Sequence, residues 1–110
     1  TLEYDFGSSV LHLQLAELYI KKGALDLAVD ELKLALKYSP QDLELHYLLT
    51  LIYSLQNKYD LAKKTFEEFL KTAIELHPKT VSLYHTLAGF YIQQNAFKEA
   101  ENVYNLILKQ

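Results

Sequence analysis

The stretch His12 to Pro40, HLQLAELYIKKGALDLAVDELKLALKYSP, decides the fold, because the rest of the chain is that stretch written twice more. In it His12, Leu15, Ala16 and Tyr19 fall at helical spacing, and Gly23, Ala28, further apolar residues and Pro40 follow. Thirty-four residues on, the order returns as His46, Leu49, Thr50, Tyr53, Asn57, Ala62, Phe66 and Phe69. Thirty-eight beyond that it returns as Tyr84, Leu87, Ala88, Tyr91, Asn95, Ala100, Tyr104 and Ile107. A period of this length marks stacked supersecondary units, none of which can bury its apolar face alone.

Each unit predicts two helices joined by a tight turn. Ser8, Asp42 and Thr80 stand where a first helix begins and carry side-chain oxygens suited to orphan amides. The first helices end at Gly23, Asn57 and Asn95, residue types that tolerate the left-handed conformation past a helix C-terminus. Second helices start near Ala24, Tyr59 and Ala96, and the first of them sets Leu25, Ala28, Val29, Leu32, Ala35 and Leu36 at helical spacing. Pro40 and Pro78 stop the first two, since a proline there would lose a hydrogen bond and clash with the preceding turn. The third unit lies four residues further on than the first interval requires, and the surplus falls between Phe66 and Pro78, in FEEFLKTAIELHP. Four residues are about one helical turn, so the surplus predicts a longer second helix with its apolar face in phase and with Ala73, Ile74 and Leu76 as added contact area.

Ahead of the repeats, residues 1–7, TLEYDFG, alternate apolar and acidic side chains with the period of an extended segment. This predicts an extended N-terminal arm or linker followed by one domain over residues 8–110, with units at about 9–42, 43–80 and 81–110. A chain of 110 residues, half of them apolar, suits a single folded domain. It starts at Thr1 and contains no Met, which suggests a segment of a longer protein. No apolar run approaches a membrane span and no basic-then-apolar leader is present, so the expectation is a soluble chain compatible with the cytoplasm.

Absent cysteine removes disulfides, thiolate nucleophiles and Cys-ligated metals together. All eleven basic residues are Lys, set against fourteen acids for a net charge of -3. With neither a positive field nor a guanidinium fork, nucleic acid is not an expected partner. His12 and His46 share one repeat position and read as packing residues, while His77 and His85 have no second His or carboxylate at ligand spacing. Glu67 and Glu68 are adjacent, so on a helix they point apart and make no acid–base pair. Three scattered glycines form no phosphate cradle. Tyr19, Tyr53, Tyr91, Tyr59 and Tyr104 read as core. No catalytic, cofactor-binding or metal-ligating residue is expected, and no enzyme.

The recurring pattern resembles the tetratricopeptide repeat, in which a Trp-like residue, Leu, a small residue and Tyr on one helix precede Ala, Phe and Pro on the next. His12, His46 and Tyr84 stand where Trp is usual, Ala16, Thr50 and Ala88 where Gly is usual, and Leu32 replaces Phe. The resemblance covers residues 9–110. It implies an all-α, right-handed superhelical solenoid of three antiparallel helix hairpins, six helices in all, whose first helices line a concave surface that holds a peptide or partner helix. By repeat position that surface carries Leu13, Glu17 and Lys21, then Glu44, Tyr47, Leu48, Leu51 and Leu55, then Ser82, His85, Thr86, Gly89 and Gln93. One branch of the family clamps a C-terminal carboxylate with two Lys, an Arg and two Asn. Those places hold Leu13, Glu17, Leu48, Ser82 and Thr86 here, so no cation would compensate the carboxylate and the clamp is rejected.

The middle first helix, DLELHYLLTLIYSLQ, is apolar on nearly every side. Leu49 and Tyr53 serve packing, which leaves Tyr47, Leu48, Leu51 and Leu55 in excess: either neighbouring helices cover them or they form an apolar groove anchored by Tyr47. The expected function is a protein-interaction module that binds a partner segment mainly through apolar contacts at Leu13, Glu17, Tyr47, Leu48, Leu51, Leu55, His85 and Gly89. Two alternatives stand beside it. One is a self-assembling structural solenoid, because the last helix carries Val103, Leu106 and Ile107 with no evident cap. The other is a recruiting appendage of a larger enzyme.

Overall fold

The computed structural model describes the backbone of residues 2–109 and the side chains of residues 7–109. Among the described residues there are six α-helices and no strand: α1 (Leu2–Lys22), α2 (Leu25–Tyr38), α3 (Leu43–Leu55), α4 (Tyr59–Leu76), α5 (Val81–Gln93) and α6 (Phe97–Leu108). They group into two compact units, residues 1–66 and 67–110, with the border inside α4.

The three hairpin turns are built alike. Gly23, Asn57 and Asn95 have φ of 79°, 62° and 60°, the left-handed conformation their residue types admit. At each turn two bonds close the helix end. Gly23 N–H donates to Ile20 O at 3.1 Å and Ala24 N–H to Tyr19 O at 2.9 Å. The corresponding pairs are Asn57 to Ser54 and Lys58 to Tyr53, then Asn95 to Ile92 and Ala96 to Tyr91. This is the Schellman arrangement, which satisfies carbonyls that a helix end leaves without partners. The residue that closes the turn also opens the next helix, for Ala24 O, Lys58 O and Ala96 O accept from the N–H groups of Ala28, Ala62 and Ala100.

The expected N-terminal caps form at one position of three. Asp42 accepts from Glu44 N–H at 3.1 Å, whereas Thr80 sits at the N-cap of α5 with extended backbone and no side-chain cap bond. Ser8 lies inside α1, because that helix begins at Leu2. The extended arm over residues 1–7 is thereby corrected to helix for residues 2–7, Thr1 lying outside the described residues. The alternation that suggested a strand also sets Leu2 and Phe6 four apart, which is helical spacing, and no proline interrupts. Pro40 and Pro78 do follow the helix ends, and each has a second use: His46 Nε2 lies 2.8 Å from Pro40 O, and Tyr84 donates its hydroxyl to Pro78 O at 2.7 Å. Since a carbonyl only accepts, Nε2 of His46 carries the proton. At His46 and Tyr84 the residue in the repeat's Trp place thus ties its helix to the end of the helix before it.

In the first unit α1 packs on α2 and α2 on α3. Their shared core is Ala16, Ala28, Val29, Leu32, Ala35, Leu45, Leu49, Ile52, Tyr53 and Ala62. Ala16, Ala28 and Ala35 have no exposed surface, the small side chains that close helix approach requires. In the second unit α5 packs on α6, and Leu70, Ala73, Tyr84, Leu87, Ala88, Tyr91, Ala100 and Val103 are buried. The surplus of the second interval lengthens α4 to 18 residues against 14 in α2. Ala73 is buried by that extension, Ile74 half-buried, and Leu76 exposed.

Candidate interaction site

Helix α3 divides its apolar residues between two faces. Leu45, Leu49, Ile52 and Tyr53 are buried. Tyr47, Leu51 and Leu55, spaced one turn apart, are 49%, 42% and 67% exposed. The neighbouring helices therefore do not cover α3 all round. Thr50 and Ser54 flank this stripe, and their hydroxyls donate to His46 O at 2.9 Å and Thr50 O at 3.0 Å. Such bonding back into the helix satisfies the hydroxyls and leaves the surface apolar in character.

The other expected site residues distribute unevenly. Leu13 and Leu48 pack against the first unit's core, so they support the surface more than they display it. Glu17, Lys21 and Glu44 are exposed. In the second unit Ser82, His85, Thr86 and Gln93 are exposed and Gly89 is half-buried. The His85 ring meets Tyr104 edge-on with centroids 6.0 Å apart, which engages it with α6. A Cβ at Gly89 would meet nothing within 4 Å, so that glycine answers no close approach inside the chain.

The second unit also contains a cleft of about 350 Å³ between the end of α4, α5 and α6. Ile74, Tyr84, Leu87, Tyr91, Val103 and Leu106 line it, with Lys71, Glu75, Glu99 and Asn102 completing the wall. Tyr91 donates its hydroxyl to Glu67 Oε2 at 2.5 Å, and Lys71 Nζ stands 3.6 Å from the same oxygen. Burial first, then the Glu67 bond and the charges of Glu67, Glu99 and Glu68, push the Tyr91 phenol above its ordinary range. It stays a neutral donor near neutral pH and cannot serve as a base there. Sequence reasoning missed this cleft because Glu67 and Tyr91 are twenty-four residues apart and no local spacing joins them.

Three residues depart from their expected roles. Val103 is buried, leaving Leu106, 51% exposed, and half-buried Ile107 on the surface of α6. Tyr59 and Tyr104 are 58% and 39% exposed and are not core. Tyr59 opens α4 and donates to Asn57 Oδ1 at 2.9 Å, outside the packed face. His12 keeps its packing place, its ring stacked on Tyr38 with centroids 5.9 Å apart, and also pairs Nδ1 with Glu31 Oε2 at 2.6 Å. Among the described residues no three His, Cys, Asp or Glu side chains converge as a metal would require, and no helix is long and apolar enough to cross a membrane.

No curated protein matches the chain. Among solved structures it is similar to an IFIT1 monomeric mutant with Gppp-AAAA and to a second IFIT1 monomeric mutant with m7Gppp-AAAA in the anti conformation of the cap. In each case the TM-score is 0.55 and the identity 24%, over 91% of this chain and 25% of the other. The chain thus spans about a quarter of those chains' length, and the likeness is one of fold. The profile of the tetratricopeptide repeat matches residues 10–42, which hold the later part of α1 and all of α2, and residues 43–79, which hold α3 and α4. With two such units in succession, carrying the same turn and the same buried alanine, the chain belongs to the tetratricopeptide repeat family.

Proposed function

We propose that this helical repeat protein is a non-catalytic interaction module that holds a segment of a partner protein against the first-helix face, centred on α3. The observation that carries the reading is the stripe Tyr47, Leu51 and Leu55, 42% to 67% exposed on a helix whose opposite face is core. A partner helix presenting apolar residues one turn apart, or an extended segment with apolar side chains, matches such a stripe. Tyr47 is the anchor, since an aromatic ring supplies much contact area at small entropic cost. Leu13 and Leu48 pack against the core of the same unit, and Glu17, His85 and Gly89 are assigned as secondary contacts by their places in the repeat. The units are about 9–42, 43–80 and 81–110, with α5 and α6 forming the third.

Peptides selected from a displayed library on the wild-type chain test this. Tyr47→Ala and Leu51→Ala should each weaken the selected peptides by more than about tenfold, while Lys21→Ala and Lys79→Ala leave them unchanged and affinity varies little with salt. Peptides indifferent to Tyr47→Ala and Leu51→Ala, or released by moderate salt, would sink the proposal.

The IFIT1 chains carry capped oligonucleotides, which makes RNA the natural comparison. A net charge of -3 with Lys as the sole basic residue type supports a protein partner over RNA here. Labelled Gppp-AAAA should show no saturable binding at low salt, where a phosphate site would be strongest.

A further inference from the structure

We propose that the Leu11, Leu15 and Leu18 face of α1 is a docking surface for α6 of a second copy of this chain, joined head to tail as α2 joins α3 within one copy. The repeat supplies the argument. Thirty-four residues after Leu11, Leu15 and Leu18, the same places are held by Leu45, Leu49 and Ile52. Those three are 0%, 6% and 2% exposed, in the core that α2 shares with α3, whereas Leu11, Leu15 and Leu18 are 63%, 39% and 52% exposed. One face, covered in the second repeat, is bare in the first.

The complementary half is bare as well. Helix α2 brings Leu32, Ala35 and Leu36 to the core it shares with α3. Their equivalents in α6 are Tyr104, Ile107 and Leu108, and Tyr104 and Leu108 are 39% and 82% exposed. Both halves of an interface that forms inside the molecule are therefore displayed on its surface. Seating α6 of one copy on α1 of the next uses both and leaves each assembly with one free half at either end. Such a contact is heterologous and does not close on itself.

The edge of the joint carries a second mark. Beside α2 and α3, Gln56 Nε2 donates to Asp26 Oδ1 at 2.5 Å. In α6 the place of Asp26 is taken by Lys98, and in α1 the place of Gln56 by Lys22. Two lysines thus face one another across the joint, so the association is weak at low salt and strengthens as salt screens them.

Sedimentation of the full chain across concentration and salt tests this. Wild type should grow past a dimer with concentration, more so at moderate salt, and Lys98→Asp should tighten the joint by about threefold. Leu15→Glu and Leu108→Glu, each replacing an exposed side chain, should be monomeric alone with unchanged helical content. Mixed in equal amounts they should form a dimer and nothing larger, because each retains the half the other lacks. A wild type that stays monomeric at every concentration and salt overturns the proposal, as does a mixture that stays monomeric. A variant that still assembles alone overturns it too, by placing the contact on another face.

Discussion

Tyr91 shows how one side chain can belong to the core and still govern a pH response. Its ring packs with the second unit's buried residues while its hydroxyl reaches Glu67 at 2.5 Å. An unfolded phenol ionises near pH 10, and this one does so only well above that, chiefly through burial and then through the Glu67 bond. The sign follows from linkage: the folded state holds a proton that the unfolded chain releases, so the stability is full below about pH 10 and falls as pH rises past it. Tyr91→Phe should flatten the fall of the melting temperature above pH 10 relative to wild type. In a tyrosinate absorbance titration the wild type should hold the Tyr91 phenol back until the chain unfolds, and the variant should lack that late step. At neutral pH the same substitution should cost about 1 to 3 kcal/mol, since the Glu67 carboxylate loses its donor. Equal alkaline profiles for the two proteins would place the late proton elsewhere.

At the scale of the element, the turns and five of the six helix starts were legible in the sequence, and the start of α1 was not. Gly23, Asn57 and Asn95 could be named in advance because few residue types accept a positive φ, and all three adopt it. Replacing Asn57 or Asn95 by Ala should therefore cost about 1 to 2 kcal/mol, read as a lower denaturation midpoint, while Asn57→Gly should be close to neutral or slightly stabilising. An Ala variant as stable as wild type would mean the turn can be made with negative φ. Ser8 misled because a capping residue is also a tolerable helical one, and a seven-residue alternation is too short to separate strand from helix. The hydrogen bonds from His46 and Tyr84 to the proline carbonyls carried no local signal beyond six-residue spacing.

For the whole molecule, the repeat made burial transferable from unit to unit, and that is why Ala28, Ala62 and Ala100 could be placed in the core from spacing alone. Ala62→Leu should cost about 1 to 3 kcal/mol by overpacking. An unchanged unfolding midpoint would show that the register is wrong. Transfer fails where a covering element differs between units. Leu15 occupies the same signature place as Leu49 and Leu87, yet it is 39% exposed while they are 6% and 5%. The α3 stripe was legible as an excess of apolar residues; which of them stay exposed depends on packing, and Leu48 turned inward while Tyr47, Leu51 and Leu55 did not. The cleft beside Tyr91 depends on three helices at once and has no signature in any one of them.

The extra turn of α4 sets a step size for how such a gene can grow. Each inserted residue rotates everything beyond it by about 100°, so four return a helix face to within about 40° of where it began. Ala73 is buried on that displaced segment, which shows that the chain absorbs such a step. Two inserted residues would swing the same alanine by about 200°, out to water. Length variants that arise between Phe66 and Pro78 should therefore survive selection in steps of three, four or seven codons. Variants of two or five codons should be missing from the descendants of this gene.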